Sequence, residues 1–156
     1  MSNKYRILVV YYTFFLAYIF FLLYLVFFSK NYGRDIVHNH FNLIPFKSII
    51  EFVLNSANAR AFWVNIVGNI VSFLPMGFFL PIVISGLNKI VRTTVVVLLI
   101  STIIEINQFI FKVGVFDLDD IILNTIGGLM GFCIYRFVRK HYKDIATGHR
   151  KYIEEK

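Results

Sequence analysis

Two short stretches of this sequence carry the residue types that do chemistry. In "EINQ", Glu105 and Gln108 stand one helical turn apart, and in "FDLDDIILN" Asp117, Asp119, Asp120 and Asn124 crowd into nine positions. Carboxylates at such spacing can pass protons, hold a cation or accept hydrogen bonds from a ligand, and amides beside them orient whatever is bound. A third stretch, "NIVGNIVSF", repeats Asn65, Asn69 and Ser72 along one helix face. No nucleophile elbow, phosphate-binding glycine loop, dinucleotide fingerprint or HExxH zinc motif accompanies these groups.

The elements that must position them follow from composition. Of 156 residues, 58% are hydrophobic and only 16% charged, which is a membrane-protein balance and leaves a soluble enzyme domain excluded. The net charge of +7 fits basic flanks of membrane spans better than a nucleic-acid surface. Residues 7–28 contain no charge over about 22 positions, roughly 33 Å of helix, and end without a small-residue cleavage site, so they predict an uncleaved anchor. Residues 61–84, 90–111 and 121–138 predict three further spans, giving an all-α, four-span polytopic membrane protein in a single domain. Cys133 has no second cysteine with which to form a disulfide within the chain.

Lysine and arginine set the expected orientation. Lys4 and Arg6 precede the first span, Lys89 and Arg92 sit in the second connection, and Arg136, Arg139, Lys140 and Lys143 close the last span. The positive-inside rule then puts both termini, with a tail over 139–156, in the cytoplasm. The acidic connection 112–120 and the long connection 29–60 lie outside, the latter with Lys30, Arg34, Lys47 and Arg60 weakening the bias. Glu105 falls about 9 Å below the end of its span, level with the amide stripe and with Asn124. A polar group inside hydrocarbon is costly unless it faces protein or water, so the three stripes are expected to converge in the outer leaflet.

The outer connection contains "NLIPFKSIIEFVLN". Pro45 extends Ile44, and Phe46, Ile49, Ile50 and Val53 recur at helical spacing opposite Lys47, Ser48 and Glu51, which predicts a short interfacial helix with Ser48 and Glu51 as its capping box. Pro75 and Gly77 predict a bend in the second span, and Gly127, Gly128 and Gly131 predict close helix packing. Two readings stand for Glu105: a functional acid, or an ion pair with Lys112 on the same face. Asp119 reads as a solvated turn or helix N-cap. Asp35, His38 and His40 in "DIVHNH" are too loosely arranged to predict a metal site, and no cofactor is implied.

Taken in order, "NLIPF", "NIVSFLPMGFFLP", "EINQ" and "FDLDDIILNTIGGLMG" resemble the VanZ-like family of bacterial membrane proteins from about Asn42 onward. The resemblance marks Asn42, Pro45, Phe46, Asn69, Phe73, Pro75, Gly77, Glu105, Gln108, Asp117, Asp120, Asn124 and Gly128. It implies a role in lowered susceptibility to teicoplanin, a lipoglycopeptide, without establishing a reaction. Many members carry an arginine shortly before the Phe-Asp pair, where this chain offers only Lys112. The expected site is an outer pocket of Asn42, Pro45, Phe46, Asn65, Asn69, Glu105, Gln108, Asp117, Asp120 and Asn124, which would bind teicoplanin, its lipid tail or a cell-wall precursor headgroup. The alternatives are an enzyme acting on a lipid-linked or lipid-phosphate substrate through Glu105, Asp117 or Asp120, and a lipid or ion transporter assembled as a homo-oligomer through the glycine face. Membrane lipids are the expected surroundings in each case.

Overall fold

A computed structural model of the chain describes residues 3–28, 41–54 and 63–154, with side chains placed over 5–28, 41–54 and 63–142. Helix α1 spans Asn3–Phe28, strand β1 Phe41–Asn42 and helix α2 Lys47–Leu54. One π turn, Trp63–Val67, leads into α3, Gly68–Val83. Helix α4 spans Ile90–Ile110, strand β2 Phe116–Asp117 and helix α5 Leu118–Glu154. Four of these segments, Tyr5–Phe28, Trp63–Val83, Ile90–Ile110 and Leu118–Tyr142, are long and apolar enough to cross a membrane. The basic and histidine-containing stretch around Arg34, Asp35, His38 and His40, together with Lys30 and Arg60, lies outside the described residues.

Glycines set how closely the helices meet. A Cβ on Gly127 would run into the Ile70 carbonyl, one on Gly131 into the Leu74 carbonyl, and one on Gly77 into the Gly128 carbonyl. Gly128 faces α4, where Val97 would obstruct any larger residue. Helices α3 and α5 are therefore in backbone contact, the arrangement that small residues permit where lipid offers no hydrophobic drive for association. This glycine face is occupied within one chain, so it is not a free surface for a second copy. Helix α3 runs unbroken in its assignment through Pro75 and Pro81, and its irregular part is the π turn before Gly68.

Helix α1 is more loosely held. Leu22 and Val26 are buried against a core of Phe73, Met76, Leu80, Val97 and Ile104, while Phe14, Phe20, Phe21 and Phe28 are exposed, as lipid-facing side chains of a span would be. Its tyrosines reach across the gap: the Tyr12 hydroxyl donates to the Val83 carbonyl at 2.5 Å and the Tyr18 hydroxyl to the Ser72 carbonyl at 2.7 Å.

The helix that carries the last span, α5, extends beyond the expected bounds of that span at both ends. It starts at Leu118 rather than near Ile121, because the Asp117 carboxylate accepts the Asp119 N–H at 2.8 Å and so caps the helix. It runs past 138 to Glu154, consistent with a sequence that offers no proline, and no glycine between Gly131 and Gly148, to stop it. Asp119 and Asp120 in its first turn complement the helix dipole.

Candidate functional site at the polar end of the bundle

One backbone pairing assembles the polar end. Strands β1 and β2 run parallel, with Phe41 opposite Phe116 and Asn42 opposite Asp117, joining the first long connection to the start of α5. Phe41 also stacks on Phe109 with ring centroids 4.2 Å apart, which anchors the same connection to α4. This end therefore collects the C-termini of α1 and α4 and the N-termini of α3 and α5, while Lys89, Arg92, Arg136 and Arg139 sit at the other.

Asp117 is the hub of the cluster. Its Oδ1 accepts from the Asp119 N–H and from Asn42 Nδ2 at 3.1 Å, and its Oδ2 accepts from the Ser48 hydroxyl at 2.5 Å. Asn42 Nδ2 also donates to Ser48 Oγ at 2.7 Å. Ser48 thus points at Asp117 and does not form the expected capping box, and Glu51 is exposed.

The cap of α2 comes instead from Asp119, which is 0% exposed and so is not part of a solvated turn. Its Oδ1 accepts the Phe46 N–H at 2.6 Å and its Oδ2 the Ile49 N–H at 3.2 Å. These are the two amide positions that a capping box satisfies from within its own helix; here a carboxylate 73 and 70 residues further along does both. Phe46 has a φ of 65°, an uncommon left-handed conformation for an aromatic residue, and the Asp119 bond holds it there. Sequence reasoning missed Asp119 and Ser48 as site-building residues because their partners are far away along the chain and leave no local periodicity.

Behind this frame is a cleft of about 170 Å³ lined by Asn65, Asn69, Gln108, Asp117 and Asp120, with Phe52, Val113 and Val115 on its apolar walls. Asn69, Gln108 and Asp120 are shared with a deeper chamber of about 20 Å³ that Glu105 and Asn124 also line. That volume suits a single water-sized group. Asn69 Nδ2 donates to Asp120 Oδ1 at 2.5 Å, and Asn124 Nδ2 donates to the Ser101 hydroxyl at 2.9 Å. Glu105, 3% exposed, accepts only a long contact of 3.4 Å from the Asp117 N–H among the described residues. Gln108 Nε2 reaches the Val26 carbonyl at 3.4 Å, bringing α1 to the chamber wall.

The expected pocket residues therefore divide in two. Asn65, Asn69, Glu105, Gln108, Asp117, Asp120 and Asn124 line the cleft or the chamber. Asn42, Pro45 and Phe46 do not line either space: Asn42 braces the frame, the Pro45 and Phe46 side chains are exposed, and Phe46 contributes its backbone N–H. The ion pair between Glu105 and Lys112 is not formed, because α4 ends at Ile110 and Lys112, at a φ of 54°, has left the face that Glu105 occupies. Among the described residues no three histidine, cysteine, aspartate or glutamate side chains come together in an arrangement that could hold a metal ion.

Comparison with known proteins places this architecture. Residues 15–139 match the VanZ/LLP1 family. The chain belongs to that family. It is 31% identical over 120 residues to Protein VanZ of Enterococcus faecium, an alignment covering 74% of this chain and 67% of that relative. No solved structure matches the chain significantly. As a VanZ-family protein with four candidate spans, it is a multi-pass membrane protein. The cleft, the chamber and the Asp119 cap all lie within the matched region.

Proposed function

We propose that this VanZ-family protein lowers the susceptibility of a bacterial cell to teicoplanin, using the polar cleft on the outer face of the membrane as a binding site. The supporting observation is the convergence of Asn69, Glu105, Gln108, Asp120 and Asn124 on one connected space at one end of the bundle. The opposite end carries Lys89, Arg92, Arg136 and Arg139, so the positive-inside rule turns the cleft outward. Beside it, Ile50, Val53 and Leu54 of α2 expose an apolar face suited to the lipid interface, where an acylated drug or a lipid-linked wall precursor would arrive. The protein acts in this reading by binding, without covalent chemistry.

The test is teicoplanin and vancomycin susceptibility of a sensitive Gram-positive host expressing wild type, Glu105→Gln or Asp120→Asn at matched membrane levels. Wild type is expected to protect selectively against teicoplanin and both variants to lose that protection. Equal protection by all three would remove the cleft from the explanation. No protection by wild type would remove the resistance reading itself.

The second reading, an enzyme acting on a lipid-linked or lipid-phosphate substrate, draws on the buried Glu105 and the half-buried Asp120 beside a cleft. It predicts turnover of such a substrate by the purified protein, abolished in Glu105→Gln; absence of turnover with or without divalent cations would sink it.

A further inference from the structure

Four acids meet at the polar end, and their hydrogen bonds separate them into two pairs. Asp117 and Asp119 are committed to the frame: between them they accept from three backbone N–H groups, Asn42 and Ser48. Glu105 and Asp120 are not so committed. Among the described residues, Asp120 accepts from Asn69 alone and Glu105 from one long backbone contact, and no salt-bridging lysine, arginine or histidine is within reach of either. Lining the same chamber is Asn124, which is 3% exposed. Its Nδ2 is spent on Ser101, and its Oδ1 is buried with no donor among the described residues. A buried amide oxygen without a partner is costly, and among the described residues the chamber that offers it beside two carboxylates is short of donors and of positive charge.

We propose that the inner chamber receives the primary ammonium group of a ligand whose unbranched stem lies in the outer cleft. An ammonium brings three N–H donors and one positive charge in the volume of a water molecule. Glu105, Asp120 and Asn124 Oδ1 supply three acceptors to match them. The outer cleft, about 170 Å³ and flanked by Phe52, Val113 and Val115, adjoins the chamber, with Asn69, Gln108 and Asp120 lining both, and gives an alkyl stem apolar walls as its continuation. That continuation favours an aminoalkyl group over a bare ion, as does the lack of a three-ligand metal cluster among the described residues. It also disfavours direct binding of a phosphate, which the acids would repel. This inference rests on the reading of the cleft as a binding site and specifies which chemical group enters first.

The test uses the full chain in phosphatidylcholine nanodiscs. Thermal unfolding is followed against n-butylammonium chloride, with butyltrimethylammonium chloride and sodium chloride as the other arms at fixed ionic strength. A saturable rise in Tm is expected with n-butylammonium alone, and is expected to vanish in Glu105→Gln and in Asp120→Asn. An equal response to sodium or to the trimethyl compound, or an undiminished response in both variants, overturns the proposal. Should the variants not fold, esterification of Glu105 and Asp120 in wild type by a diazo reagent, which does not couple carboxylates to amines, replaces them: n-butylammonium is expected to protect both carboxyl groups and butyltrimethylammonium neither, and absence of protection overturns the proposal. Failure here alongside intact selective protection against teicoplanin would leave the binding function standing, whereas ammonium binding without protection would leave the site and remove that function.

Discussion

The contact between α3 and α5 and the polar end above it solve the same problem by opposite means. Along the helices, Gly77, Gly127, Gly128 and Gly131 bring backbones together by leaving side chains out. At the polar end, the half-buried Asp117 and the buried Asp119 bring distant segments together through carboxylates that accept several donors each. The glycine contact is tight and presents no side-chain acceptor of its own. The polar end is held by bonds that span 69 to 75 residues of sequence, and that strategy leaves acceptors over, at Glu105, Asp120 and Asn124. Where the chain packs by absence it leaves no space, and where it packs by hydrogen bonding it leaves a cleft lined with polar groups.

The sharpest way to break this division is to fill the glycine contact. Gly131→Leu puts a side chain against the Leu74 carbonyl, which cannot yield as a flexible side chain would, and is expected to cost about 3 kcal/mol or more. The protein should unfold at lower temperature in detergent and fall in membrane abundance; unchanged values for both would mean that α3 and α5 do not depend on that approach.

Asp119→Ala comes next, at about 2 kcal/mol, because it strips the cap from α2 and leaves the Phe46 and Ile49 amides without their acceptor. Its damage should be local. Hydrogen exchange is expected to rise over residues 46–54 and to stay slow in α3 and α5, and a uniform rise across the spans would contradict the idea that the frame and the glycine contact are separable.

Lys112→Gln gives the smallest effect, within about 0.5 kcal/mol, since Lys112 is exposed and does not reach Glu105. A large loss of stability or of teicoplanin protection in that variant would restore the ion pair that the ending of α4 removes.

The two regions also differ in how much of them could be read from residues alone. Glycines at GxxxG spacing within an apolar run declare close packing, and the apolar runs declare the spans, because hydrocarbon thickness fixes their length. The stripe of Glu105 and Gln108 was legible for a related reason: helical periodicity puts both on one face, and a charged group in a span must turn inward. Asp119 was not legible. Its role depends on amides contributed by a segment that precedes it by 70 residues, and no local rule connects the two. Ser48 misled for the complementary reason, since Ser48 and Glu51 satisfy the spacing of a capping box that a better acceptor from elsewhere displaces. The continuation of α5 to Glu154 escaped because reading a span by hydropathy finds where the membrane stops, which is not where the helix stops.

The cap supplied by Asp119 has a consequence for biogenesis. A ribosome makes Phe46 and Ile49 long before it has made the carboxylate that fixes them, and two candidate spans, Trp63–Val83 and Ile90–Ile110, lie between. Until the fourth span is inserted, the short helix has no N-terminal partner from within its own sequence and the cleft has no floor from α5. The cleft is thus completed only by the last insertion event, and a chain truncated after α4 would lack the Asp117 and Asp120 that line it.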